Sequence, residues 1–292
     1  MTPLPTIPAG VPDQASVLAR ASGENFPVAS RLLLGGQADH LLAVYGFARL
    51  VDEIGDTALR DTALEDTGPG DRLGLLDWAD AEVDRAVAGA ATHPVFVALG
   101  RTVTACSLPV VPLHDLVQAN RQDQLVTDYA TYDELVGYCR LSANPVGRLV
   151  LGVFGVLDEQ RAALSDAVCT ALQLVEHCQD VYEDARAGRV YLPAEDRERY
   201  AVAPADLTTA PSPLGLRQLL ALEIGRARLL LDQGAGLVGL LSGRARLAVA
   251  GFVGGGRAAC AAVARAGYDV SSGPPKAGKP AVLGQALKAW AR

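Results

Sequence analysis

The chain has 292 residues, half of them hydrophobic and only 5% aromatic, and a formal charge of −7 from 33 acidic and 26 basic residues. A net acidic balance argues against a general nucleic-acid binder, which needs a basic face to displace phosphate counterions. The five Cys (106, 139, 169, 178 and 260) are odd in number and form no CxxC, so neither a disulfide framework nor a zinc site is indicated, and a reducing cytosol fits best.

The apolar mass is mainly Leu, Ala and Val, with little strand-like alternation, so the fold class expected is all-α. Residues 1–13, punctuated by Pro3, Pro5, Pro8 and Pro12, read as an extended or disordered leader without the features of a signal peptide. Helical patterning starts near Gln14, returns at Arg31–Leu34, and runs from about 38 to 58 with Leu41, Leu42, Tyr45, Ala48 and Val51 in phase. A polar loop follows over Asp61–Asp71. Helices are then expected at 72–88, 94–106 and 112–127, and at 132–142 and 145–156 with a break at Asn144-Pro145. The segment 159–187 is one long helix that Gly188 stops. A proline-rich loop over 188–213 leads to helices at 214–235 and 242–266. Without repeats or composition shifts, residues 14–270 read as one domain, and 271–292 as a linker and a short amphipathic helix. The longest uncharged apolar stretch, Leu247 to Gly256, is too short to span a bilayer.

Two acidic stripes carry the candidate chemistry. Asp52 and Asp56 are four residues apart and share a helix face, with Arg49 one turn earlier. Glu176, Asp180 and Asp184 repeat the spacing, with Gln173 one turn before them. Such carboxylates repel each other until a divalent cation turns repulsion into coordination, and a cation so held can bridge to a diphosphate. A solvated acidic helix end fits the first stripe equally well, and Arg186 and Arg189 could offset the second. The glycines of Gly152-Val-Phe-Gly155 and Gly254-Gly-Gly256 read as packing positions or kinks. His40, His93 and His114 read as surface or cap positions, and His177 points off the acidic stripe. No Ser–His–Asp set, P-loop or dinucleotide fingerprint is present.

From about Asn25 to Ala266 the sequence resembles the squalene/phytoene synthase family. The resemblance rests on Asn25-Phe-Pro-Val-Ala-Ser30-Arg31, on Tyr45, Arg49 and Asp52–Asp56, and on Asp123 in Arg121-Gln-Asp123. It continues through Gln173, Asp180 and Asp184, and the tract Gly188-Arg189-Val-Tyr191-Leu-Pro193. Within the family, Ser142-Ala-Asn144-Pro-Val-Gly-Arg148 is similar to the form carried by bacterial hydroxysqualene synthases. Glu176 stands where Asn is usual, and Arg140 where the head-to-head synthases tend to place a tyrosine.

The resemblance implies an isoprenoid synthase (terpenoid synthase) helical bundle with a central cavity. It implies Mg2+, two or three ions, on Asp52, Asp56, Glu176, Asp180 and Asp184, and no NADPH. Substrate contacts are expected from Arg31, Arg49, Asn144, Arg148, Gln179 and Arg189, and Tyr45, Asp123, Gln173 and Tyr191 are the expected catalytic positions. The activity implied is ionisation of presqualene diphosphate, cation rearrangement and capture by water. A head-to-head synthase joining two prenyl diphosphates is the alternative, and a non-catalytic assembly partner that keeps the fold is a second. Work beside the other enzymes of the squalene route and a cytoplasmic location complete the expectations, and the short C-terminal helix either packs its apolar side on the bundle, the reading preferred, or rests on a membrane through its basic residues.

Overall fold

The structure, a computed structural model, describes residues 7–19, 35–55 and 69–291, with backbone alone at 69 and 70. Arg31, Asp56 and the Asn25–Ser30 motif lie outside the described residues. Among those described, every regular element is a helix, and the one β-type contact is an isolated parallel bridge between Asp128 and Val190. In chain order the α-helices are α1 (Gln14–Ala19), α2 (Ala38–Gly55), α3 (Pro69–Val87), α4 (Pro94–Cys106), α5 (Val111–Asp123), α6 (Tyr132–Ser142) and α7 (Asn144–Val153). They continue with α8 (Glu159–Arg186), α9 (Ala194–Arg199), α10 (Leu214–Gly234), α11 (Gly236–Gly239), α12 (Gly243–Arg265) and α13 (Lys279–Trp290).

Three boundaries differ from the sequence expectation, each for a local reason. Helix α5 ends at Asp123 rather than 127, because the backbone of the next residues serves another segment. Val190 N–H donates to Thr127 (2.8 Å) and Ala194 N–H to Tyr129 (2.9 Å). Helix α7 stops at Val153 because Gly155 takes φ +67, the left-handed conformation that ends helices. Gly155 is therefore a stop, whereas Gly152 is the packing position, set against Leu108. The loop expected over 188–213 contains the short helix α9, opened by Pro193.

The chain divides into two compact units. The first comprises Met1–Leu125 and Arg148–Leu157, and the second Val126–Gly147 and Asp158–Arg292. In the first unit, α2 packs on α4 and α5, and α3 on the same two helices. Its core is aromatic at the centre: Phe96 meets Phe47 and Trp78 edge-on at 5.7 and 5.6 Å. Glu82 is fully buried and accepts hydrogen bonds from the backbone N–H groups of Thr92 and His93, which fixes the turn before α4. His93 is the N-cap of α4, as its position suggested, and its other ring nitrogen meets the Pro12 carbonyl at 3.1 Å.

In the second unit, α8 lies against α10, α12 and α6, and α13 lies on α12. Glycines permit the closest approaches: Gly234 rests on Leu164 and Val168, and Gly256 on Leu172 and Leu231. By length and composition α12 is the one described helix apolar enough to cross a membrane, longer than the charge-free stretch Leu247–Gly256 suggested. More than half of that apolar window is buried within the unit, as in a core helix.

The second unit also holds a charged cluster absent from the sequence reading. Asp196 on α9 and Glu223 on α10, 3% and 1% exposed, share the Arg226 guanidinium at 2.5 and 2.6 Å. The guanidinium also lies 4.1 Å from the ring centroid of Tyr132 on α6. Burial, opposed by Arg226 and reinforced by Asp196, pushes the Glu223 carboxyl up to about 7. Arg226→Met strands two buried carboxylates and should cost about 3 kcal/mol in urea unfolding. A carboxyl raised by folding holds its proton better in the native state, so its stabilisation is complete below about 4.5 and is lost as pH rises through about 7. The stability difference between wild type and Glu223→Gln should therefore shift in favour of the variant from pH 4.5 to 7; a difference that does not vary with pH refutes this.

Candidate active site

Helix α8 is the scaffold of the second unit's site. Asp158 caps its N-terminus by accepting from Arg161 N–H at 2.7 Å, and Gly188, with φ +80, closes its C-terminus. One face carries Gln173, Glu176, Asp180 and Asp184, with Glu176 exposed and the two aspartates half-buried. Burial and then the neighbouring Glu183 push Asp180 up to about 6, against the pull of Lys276. Burial and then Asp180 push Asp184 up to about 8, with Arg189 pulling the other way and Glu176 and Glu183 adding repulsion. Burial and mutual repulsion thus work against both charges, the condition a hard cation would relieve. Among the described residues no three His, Cys, Asp or Glu groups converge into a preformed metal cage.

Lys276 is a residue that sequence reading assigned to the basic tail and the structure brings to the acidic stripe. The Gln179 amide donates to the Pro275 carbonyl at 2.6 Å, and this clasp delivers Lys276 to the neighbourhood of Asp180. Gln179, expected among the substrate contacts, is therefore engaged with the chain itself. The same is true of Asn144, which is 4% exposed and accepts from the Thr170 hydroxyl at 2.9 Å. It ties the start of α7 to α8.

Beside the acidic stripe, α8 presents an aromatic cluster. The His177 ring stacks on Tyr191 at 4.0 Å and 10°. Tyr138 and Tyr129 lie 5.6 and 6.0 Å from Tyr191, also near parallel. The His177 ring is buried, and burial pushes its pKa down to about 3, so the imidazole is neutral. Its Nε2 lies 3.4 Å from the Gln173 amide nitrogen, a contact in which the amide N–H donates to the ring. Two expected catalytic residues, Gln173 and Tyr191, are thus joined through His177. No local pattern marks that role, because Tyr191 reaches the ring only after the chain turns back at Gly188.

In the first unit, α2 bears Tyr45, Arg49 and Asp52. Arg49 pairs with exposed Asp52 and buried Glu53, both at 3.1 Å. Glu53 is 2% exposed, a partner that the acidic-stripe reading passed over. The end of α2 meets the end of α5: the Gln124 amide donates to the Gly55 carbonyl at 2.7 Å, and Asn120 packs where Gly55 has no side chain. Asp123, the last residue of α5, is held one residue from this junction. Arg148 belongs to the same unit, where burial raises the Asp115 carboxyl against the pull of Arg148.

Comparisons with known proteins place the chain in a family. The sequence profile of the squalene/phytoene synthase family matches residues 19–281. The hydroxysqualene synthase of Zymomonas mobilis is 34% identical over 219 residues, 73% of this chain and 69% of the relative. That of Rhodopseudomonas palustris is 37% identical over 212 residues, 72% of this chain and 68% of the relative. The crystal structure of squalene synthase HpnC from Alicyclobacillus acidocaldarius is 42% identical, with a TM-score of 0.77 over 88% of this chain and 95% of that one. The fold is accordingly the expected all-α terpenoid synthase type. The chain belongs to the squalene/phytoene synthase family and is a prenyl diphosphate-processing enzyme.

Proposed function

We propose that the protein converts presqualene diphosphate to hydroxysqualene and diphosphate. The observation that carries this reading is on α8, where a stripe of half-buried, mutually repelling aspartates adjoins a buried cluster of aromatic rings. The first suits a metal-bound diphosphate, and the second suits the cation left when the C–O bond to diphosphate breaks. The similarity to two hydroxysqualene synthases favours water as the group that ends the reaction. Head-to-head condensation of two prenyl diphosphates would use the same carboxylates and is the competing reading.

In this reading Asp180 and Asp184, with Glu176, hold Mg2+, and Asp52 with Asp56 form a second carboxylate pair. Two or three Mg2+ ions, when bound, neutralise the leaving diphosphate. In the second unit Arg189 and Lys276, beside Asp180, are the candidates to hold diphosphate oxygens, and Arg49 and Arg148, with the expected Arg31, are the candidates of the first. Tyr191, Tyr138 and Tyr129 offer ring faces to the rearranging cation, while Tyr45 and Asp123 serve from the first unit. His177 holds the Gln173 amide through its N–H, which leaves the amide oxygen to accept from the capturing water. Water adds to the cation and its proton passes to the released diphosphate, so no reductant is needed. The product is a thirty-carbon alcohol of very low solubility, and the enzyme is placed in the cytoplasm at the inner face of the membrane, beside its pathway neighbours.

Three outcomes follow. Asp180→Asn should keep its helix content by circular dichroism, lose the rise in Tm that Mg2+ and diphosphate give the wild type, and turn over about 10³-fold more slowly. A folded variant with near-normal turnover refutes the stripe as the metal site. Purified protein with Mg2+ and presqualene diphosphate should yield an oxygenated product by mass spectrometry, in equal amount with and without NADPH. Squalene that forms only with NADPH would establish the one-enzyme synthase instead. His177→Phe keeps a ring against Tyr191 but removes the Gln173 acceptor, so the ratio of alcohol to olefin should fall while KM stays within about twofold. An unchanged ratio removes His177 from water placement.

A further inference from the structure

The polarity of α13 is the reverse of what a packed brace requires. Its inner side is made of small residues. Ala286 lies against Gly254 of α12, where a side chain would collide with the Ala286 backbone, and Ala289 is 2% exposed. Its large apolar residues face outward: Leu283, Leu287 and Trp290 are 61, 58 and 49% exposed. They stand at i, i+4 and i+7, one continuous stripe of the helix. The helix is held firmly in this orientation. The Arg246 guanidinium donates to the Trp290 carbonyl at 2.6 Å and lies 5.2 Å from its ring centroid. Leu247 on α12, next in the chain to Arg246, adds a further 46% exposed leucine.

Charge singles out the occupant. From Leu240 onward the chain carries eight of its 26 Lys and Arg residues but only one of its 33 carboxylates, Asp269. Asp269 is itself engaged by Arg217 at 2.8 Å. Lys279 opens the outward stripe four residues before Leu283, Lys288 follows Leu287, and Arg244 is exposed at the start of α12. A second copy docked through this face would oppose these cations to each other. An anionic lipid surface neutralises them, and each basic residue near such a surface contributes about 1 kcal/mol.

We propose that the outward face of α13 docks on an anionic phospholipid bilayer, with Leu283, Leu287 and Trp290 entering the headgroup boundary and Lys279, Lys288 and Arg244 meeting lipid phosphates. The protein lies on the membrane, since α12, the one described helix long and apolar enough to span, is largely buried. This refines the peripheral location proposed above by naming its face and its lipid, and it stands or falls independently of the reaction.

The test uses the full chain and sedimentation with sucrose-loaded vesicles. Binding to equimolar phosphatidylglycerol and phosphatidylcholine should exceed binding to phosphatidylcholine alone by about tenfold or more and should weaken with added salt. Leu283→Glu with Leu287→Glu should reduce it at least tenfold, with the Tm unchanged because both sites are exposed. Lys279→Gln with Lys288→Gln, which leaves the apolar stripe intact, should reduce it several-fold and supplies a second folded variant. Wild-type protein that stays in the supernatant, or a double glutamate variant that sediments like wild type, overturns the proposal. So does a wild-type dimer in velocity sedimentation that the glutamate pair dissociates, if vesicle binding is absent.

Discussion

Like charges on one helix face are the constraint around which the second unit is arranged. Glu176, Asp180, Glu183 and Asp184 crowd the C-terminal half of α8, where the helix dipole also disfavours negative charge. Partial burial removes the water that would screen them, so Asp180 and Asp184 hold protons far above the ordinary aspartate range. The chain supplies only partial relief, through Arg189 just past the helix and Lys276 from the C-terminal linker. Stability alone would favour apolar or paired residues at these positions. In the proposed reading their presence is the cost of a surface complementary to a divalent cation.

The rest of the unit holds that surface in register. Helix α8 keeps its place through small-residue contacts with α10 and α12, which fix its rotation and hence the direction of the acidic stripe. The tract after Gly188 is then tied down twice. Backbone hydrogen bonds join it to residues 127–130, and the Asp196–Arg226–Glu223 cluster anchors α9 to α10. Between those ties lies Tyr191, stacked on His177.

At the other side of the unit, α13 shows the opposite division of labour. Glycine and alanine make the contact with α12, so the helix sits close without using its leucines, and the apolar stripe stays outside. An enzyme whose reactants carry long hydrocarbon chains gains from lying where those chains are soluble. On the proposed docking face, the concentration of basic residues at the C-terminal end of an otherwise acidic chain would orient it on such a surface.

Much of this was legible in the residues alone, because helix periodicity, capping and spacing are local properties. Gly188 as a helix stop, the break at Asn144-Pro145, and the common face of Glu176, Asp180 and Asp184 follow from 3.6 residues per turn and from the conformations open to Gly and Pro. The ordered set of motifs pointed to the family for the same reason. What the sequence left open are relations between segments distant in the chain. His177 looked idle until Tyr191 folded back onto it, and Lys276 looked like part of a basic tail until Gln179 caught Pro275. Glu223 gave no signal until Asp196 arrived at the same guanidinium, and the amphipathic tail did not reveal which side faces inward. A period fixes which side chains share a face, but only the packing of one helix against another decides what that face meets.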